Sequence, residues 1–138
     1  MELKIFSGLP DCAREIRQKV FVDEQGFKTE FDDIDETAIH LVGFDGNTPA
    51  ATCRIFKDKD DGVYILGRLA VLKEYRGKRL GAYVLNEAER YVREIGGKCI
   101  VLHAQVRASG FYKKAGYFEF GDEFYDEYCP HISMKKCL

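Results

Sequence analysis

The chain has 138 residues, 46% of them apolar and 32% charged, with 21 basic side chains against 23 acidic ones and a net charge of −2. That length suits one domain, residues 1–138, with a single hydrophobic core, and the missing basic excess argues against a general nucleic-acid binder. No run approaches a membrane span and Met1–Phe6 lacks a leader's long apolar core, so a cytoplasmic protein with no membrane partner is expected.

Glu2–Ser7 reads as a first strand. Pro10–Val22 reads as a helix, with Pro10 and Asp11 at its start and Ala13, Ile16 and Val20 on its apolar face. Ile39–Phe44 and Ala50–Lys57 read as strands joined by the hairpin signal Asp45-Gly46-Asn47. A polar turn leads into Val63–Leu72, a β-branched, apolar run that suits a buried strand. Leu80, Val84, Leu85, Ala88, Tyr91, Val92 and Ile95 then recur at helical spacing, and Gly96-Gly97 ends that helix. Cys99–Ala104 is a strand and Ser109–Ala115 a short helix. Tyr117–Phe124 and His131–Lys136 form a closing antiparallel pair. The order argues a mixed α/β fold around a strand-helix-strand unit.

Between the Val63–Leu72 strand and the long helix lies Tyr75-Arg76-Gly77-Lys78-Arg79-Leu80-Gly81-Ala82. A helix start has unpaired N–H groups and a positive dipole end, and glycines allow close approach to that backbone. The junction is therefore a candidate polyphosphate site; read blandly, it is a tight turn with a solvated basic edge. Two segments, 23–36 and 119–127, are strongly acidic and read mainly as solvated loops. A cleft with one basic and one acidic end would bind an anionic cofactor and attract a cationic acceptor.

Five cysteines, at 12, 53, 99, 129 and 137, form no Cys-x-x-Cys pair, so no metal site is expected. Cys53 and Cys99 are expected in the core, whereas Cys129 and Cys137 are candidates for exposed thiols. His40 and His103 lie in apolar strand runs and read as core histidines.

The turn and helix resemble the acetyl-coenzyme A pyrophosphate motif of the GCN5-related N-acetyltransferases (GNAT), Gln/Arg-x-x-Gly-x-Gly/Ala. Arg76 and Gly81 match it, and Arg79 stands where the middle glycine belongs. A second run, Ala104-Gln105-Val106-Arg107-Ala108-Ser109-Gly110-Phe111-Tyr112-Lys113-Lys114-Ala115-Gly116-Tyr117, resembles the family's later Phe-Tyr-x-x-x-Gly-Tyr/Phe motif. Arg17–Gln25, His40-Leu41, Arg54-Ile55, Gly67–Val71 and Pro130–Met134 are similar to the ElaA/YjcF-like branch. The C-terminal part is also similar to glyphosate N-acetyltransferase, but Val22, Gly67 and Gln105 stand at the places of that enzyme's phosphonate-binding arginines.

The resemblance implies a GNAT fold, a mixed sheet of about six to seven strands flanked by about four helices, often dimeric. It implies transfer of an acetyl group from acetyl-coenzyme A directly to an amine of a small molecule in a ternary complex, with no metal and no enzyme nucleophile. A protein lysine or N-terminal acetyltransferase and a non-catalytic coenzyme A sensor are the alternatives. Tyr112 is the implied general acid at the coenzyme sulfur. His131 is the implied base, with Glu24 or a water path as substitutes. Leu69, Ala70 and Val71 would offer main-chain groups to the pantetheine arm, and Arg76, Gly77, Lys78, Arg79, Leu80, Gly81 and Ala82 would hold the pyrophosphate. Lys114 either reaches the nucleotide end or is solvated. Glu24, Arg68 and Gln105 are acceptor-site candidates. For Arg54 and Arg68, pairing with acids such as Asp35 or Glu24 and binding of an acceptor carboxylate are both open.

Overall fold

The computed structural model describes all residues, 1–138. One seven-stranded sheet is built from β1 (Glu2–Ser7), β2 (Ile39–Asp45), β3 (Thr48–Lys57), β4 (Val63–Val71), β5 (Cys99–Gln105), β6 (Phe118–Asp126) and β7 (Cys129–Cys137), in the spatial order β1-β2-β3-β4-β5-β7-β6. Three α-helices accompany it: α1 (Asp11–Arg17), α2 (Leu80–Glu94) and α3 (Ser109–Lys114). A π-helical run, Gln18–Glu24, continues α1 and is the fourth sizeable helical segment.

The sheet separates two apolar cores. Val84, Leu85, Ala88 and Val92 of α2 are buried at helical spacing against Leu41, Ile55, Leu66, Ile100 and Leu102. On the other face, Ala13, Ile16 and Val20 pack with Val42, Ala70 and Leu72. Gly96 stops α2 with φ of 87°. At Gly97 a Cβ would overlap both Val92 Cγ1 and the Tyr64 ring. No helix is long and apolar enough to cross a membrane.

All strand pairs are antiparallel except β4–β5, whose register runs from Val63↔Cys99 only as far as Leu66↔Leu102. Beyond that point the two strands diverge, and β4 from Gly67 onward has no partner on its β5 side. A bulge lies at the same place. Gly67 pairs with Arg54 and Ala70 with Thr52, so two residues of β4 face one of β3, and Arg68 adopts a left-handed φ of 54°. The splay opens the sheet at the chain's one strand-helix-strand crossover, where α/β folds place ligands.

Three expectations about side chains are corrected. Cys99 and Cys137 are not a core residue and a free thiol: they face each other across β5–β7 as a disulfide, with Cα atoms 4.0 Å apart. Cys129 is buried rather than exposed. Glu30 and Asp35, in the acidic loop read as solvated, are among the most buried polar residues.

Candidate active site

Two cavities meet at the splay. The larger, about 700 Å³, lies between the end of β4, the start of α2 and α3. Its lining includes seven of the expected coenzyme residues: Val71, Arg76, Gly77, Arg79, Leu80, Gly81 and Ala82. Gly77 has φ of 80°, a conformation glycine adopts without penalty. Arg79, the residue in place of the motif glycine, holds a left-handed φ of 62° as the N-cap of α2. No side chain caps α2, and its first internal bond is Tyr83 N–H to Arg79 O. The N–H groups of Leu80, Gly81 and Ala82 therefore open onto a groove bordered by cations, an arrangement that fits a pyrophosphate. Tyr75, Asn86 and Phe111 also line it, as does Lys114.

Four expected coenzyme residues lie elsewhere, Tyr112 of the second cavity among them. Lys78 is exposed above the Tyr75 ring and does not line the groove. Ala70 is buried in the core beneath α1. Leu69 lines the second cavity, so β4 passes from one cavity to the other within three residues, Leu69 to Val71. α3 does the same, with Phe111 in the groove and Tyr112 in the second cavity.

The second cavity, about 260 Å³, is bounded by the π-helical run and its following loop, by the diverged ends of β4 and β5, and by β7. Tyr112 and His131 both line it, as do Arg68 and Gln105. Tyr112 is 9% exposed, lies edge-on to Phe111 and Tyr117, and makes no hydrogen bond through its hydroxyl. Burial raises its pKa well above the ordinary phenol value, so it stays protonated. His131 is 7% exposed and stacks on Phe124 with ring centroids 5.8 Å apart. Its Nδ1 lies 2.9 Å from the carbonyl oxygen of Cys129. A carbonyl only accepts, so Nδ1 carries a proton, and in the neutral ring Nε2 is the acceptor.

Glu24 is not in either cavity. Its carboxylate pairs with Arg76 through Nη1 at 2.5 Å and Nη2 at 2.7 Å. The Arg76 hydrogen bond holds the Glu24 carboxyl below the usual carboxylate range. His103, read as a core histidine, is exposed and borders the second cavity, with Nδ1 3.0 Å from Ser133 Oγ. Desolvation of the ring by the surrounding side chains and the nearby His131 lower its pKa. Odd positions of β5 face the open side of the sheet, so strand parity holds the signal for His103. His40 is core as expected, its Nε2 donating to Asp35 O at 2.9 Å.

Beneath the second cavity lies a buried ionic cluster. Arg17, 1% exposed, binds Glu30 through Nε at 2.9 Å and Asp35 through Nη1 at 2.7 Å. Arg54 binds Asp32 at 2.6 Å and Asp35 at 2.9 Å. Arg68 reaches Glu30 at 3.1 Å. Burial alone would raise the Asp35 pKa, but the Arg17 hydrogen bond, the Asp32 N–H and Arg54 outweigh it and hold it far below the ordinary value. For Glu30 burial wins over Arg68 and Arg17, and its pKa is raised. The cluster fixes the loop 25–36 against the sheet and so shapes one wall of the cavity. Glu127, in the β6–β7 turn, accepts from the N–H groups of Lys28 and Thr29, and the Tyr128 hydroxyl donates to Gln25 O.

A sheet splayed around a crossover helix, with an uncapped basic helix start on one side of the splay, is the architecture of the acetyltransferases this chain matches. Residues 9–138 match the acetyltransferase (GNAT) domain family, and the chain belongs to it. A Bacillus subtilis protein with an acetyltransferase name is 38% identical over 129 residues, 90% of this chain and 86% of that one. The uncharacterized N-acetyltransferase YjcF of the same organism is 35% identical over 124 residues, 88% of this chain and 87% of YjcF. Escherichia coli ElaA superposes with a TM-score of 0.87 at 25% identity, covering 98% of each chain. An aminoglycoside 6'-N-acetyltransferase, solved in complex with coenzyme A, shares the fold at a TM-score of 0.78 and 16% identity, covering 99% of this chain and 97% of that one.

Proposed function

We propose that this enzyme acetylates the amine of a small molecule, using acetyl-coenzyme A bound in the α2 groove and the acceptor bound in the smaller cavity. The observation that carries the reading is the pairing of Tyr112, protonated and buried, with His131, whose Nε2 is free, in one cavity that abuts the groove. Bound acetyl-coenzyme A supplies an acetyl group activated as a thioester. Arg76, Arg79 and the first N–H groups of α2 hold its pyrophosphate. The unpaired edge of β4 from Gly67 to Val71 holds its arm.

His131 Nε2 takes the proton that the acceptor amine must lose. A main-chain N–H of Leu69 or Val71 stabilises the negative charge that builds on the carbonyl oxygen. A nitrogen–carbon bond forms as the carbon–sulfur bond breaks, and the Tyr112 hydroxyl gives its proton to the sulfur. Solvent exchange returns a proton to Tyr112 and takes one from His131. Similarity of Pro130-His131-Ile132 to glyphosate N-acetyltransferase, where that histidine is the base, supports the role. Glu24 is the weaker candidate because its carboxylate is committed to Arg76.

Thermal unfolding with and without acetyl-coenzyme A, then thiol release against an amine panel, tests the reading. An upward shift reports binding to the folded state. His131→Ala and Tyr112→Phe should each lower turnover by roughly 10²-fold or more while leaving the thermal shift in place. Full turnover in either variant removes that residue from the mechanism, and no shift at millimolar acetyl-coenzyme A overturns the assignment of the groove.

A further inference from the structure

We infer that the acceptor is an amino-acid-like molecule, carrying a carboxylate beside its reacting amine, and that Arg68 and Arg107 bind that carboxylate. The inference rests on the acetyl-transfer reading above and names its substrate class. Both guanidinium groups line the smaller cavity; Arg68 is paired with Glu30 and Asp32 through Nε and Nη2, and Arg107 is held through Nε alone. Arg68 donates from Nε and Nη2 to Glu30 O, at 3.2 and 3.1 Å, and its Nη1 donates no hydrogen bond. Arg107 donates from Nε to Gln105 Oε1 at 2.7 Å, and neither of its Nη atoms donates one. Gln105 is itself held, its Nε2 donating to Gln25 Oε1 at 2.9 Å. Arg68 Nη1 and both Nη atoms of Arg107 are thus left for a ligand, and a guanidinium fork matches a carboxylate. Arg68 is already ordered by its buried partners, so less ordering is needed there on binding.

Charge across the cavity supports an acceptor of both signs. In the buried cluster Arg17, Arg54 and Arg68 are matched by Glu30, Asp32 and Asp35. Arg107 adds one cation on the β4–β5 side. On the β7–β6 side stand the lone pair of His131 Nε2 and the Asp126 carboxylate, which makes no ion pair or hydrogen bond. Glu30, also in the lining, is paired with Arg17 and Arg68, so the unpaired charges are the Arg107 cation and the Asp126 carboxylate, and with the His131 ring they complement a carboxylate next to an amine. A volume of about 260 Å³ lies below that of most drug-sized pockets, so the acceptor is small.

The test is thiol release from acetyl-coenzyme A with free amino acids, each paired with its own carboxamide. Wild type should favour the acid over the carboxamide by at least ~10-fold in kcat/KM, the scale of a charge-assisted pair. Arg107→Ala should collapse that preference, chiefly through KM for the acid, and Arg107→Lys, with the charge but not the fork, should restore it only in part. Arg107 is exposed and its one hydrogen bond is to the Gln105 side chain, so its replacement removes no core packing. Equal use of acid and carboxamide by wild type, or an unaltered preference in Arg107→Ala, overturns the inference while acetyl transfer stands. No thiol release with any amine, together with no thermal shift by acetyl-coenzyme A, overturns both.

Discussion

Glu24 grips Arg76 with both carboxylate oxygens, and so joins the end of the π-helical run to the turn that opens α2. The same arginine donates from Nε to Val71 O at 3.1 Å. One guanidinium thus links β4, the acceptor-side loop and the candidate pyrophosphate turn.

A carboxylate held in this way is a poor base. Loss of a true general base costs ~10²–10⁴-fold in rate, so Glu24→Gln is expected to stay within about threefold of wild type in kcat. It should also keep the wild-type dependence of rate on pH. Steady-state rates across pH check this, and a collapse in the variant would move the base to Glu24.

Arg79 holds a left-handed backbone that costs a non-glycine residue ~1–2 kcal/mol. Arg79→Gly should therefore raise stability by about 1 kcal/mol. Affinity for coenzyme A should fall at the same time, most at low ionic strength. Urea unfolding and calorimetric titration at two salt concentrations read both effects. A variant that gains stability without losing affinity would leave the Arg79 side chain with no part in binding.

Asp35 contacts both Arg17 and Arg54 below the surface. Replacing it with asparagine leaves buried guanidinium groups short of charge and should cost ~3–5 kcal/mol. Its folded pKa is depressed, so its stabilisation is complete above the unfolded aspartate value, about 4, and fades as pH falls through the folded one. The gap between wild type and Asp35→Asn, measured by urea unfolding, should be full at pH 7 and narrow below about pH 4. A gap independent of pH would separate Asp35 from the acid response.

The Cys99–Cys137 bridge spans 38 residues of sequence, a span that encloses α3, β6 and nearly all of β5 and β7. On a chain-entropy view, opening it should lower stability by ~3–4 kcal/mol. Reductant should shift the urea midpoint of wild type and leave that of Cys137→Ser unmoved. Equal midpoints for wild type with and without reductant would show that the bridge adds nothing to stability.

The elements that gave the clearest sequence signal are those whose reasons are local. The period of α2, the Gly96-Gly97 stop and the Gly46-Asn47 turn each depend on neighbours a few residues away. So does the turn proposed to hold phosphate, where two glycines and three cations fall together. What stayed hidden depends on register and on distant partners. Cys99 meets Cys137 only because β7 pairs with β5 in one alignment. Glu30 and Asp35 look solvated until Arg17 and Arg54 come over them from α1 and β3. His103 stood in an apolar run, yet the alternation of β5 turns it to the open face while Leu102 and Ala104 face the core. Arg107 lay inside a recognised motif, and nothing in its neighbours announced that two of its nitrogens would be left without a partner.

Divergence of β4 from β5 after Leu66 and Leu102 has a kinetic meaning as well. The groove opens beside α2 and α3, whereas the smaller cavity opens beside the loop that follows the π-helical run. On the proposed assignment each ligand would enter by its own mouth, the coenzyme beside α2 and the amine beside the loop. Double-reciprocal plots in the two substrates should therefore intersect rather than run parallel, and spent coenzyme should compete with fresh coenzyme without competing with the amine.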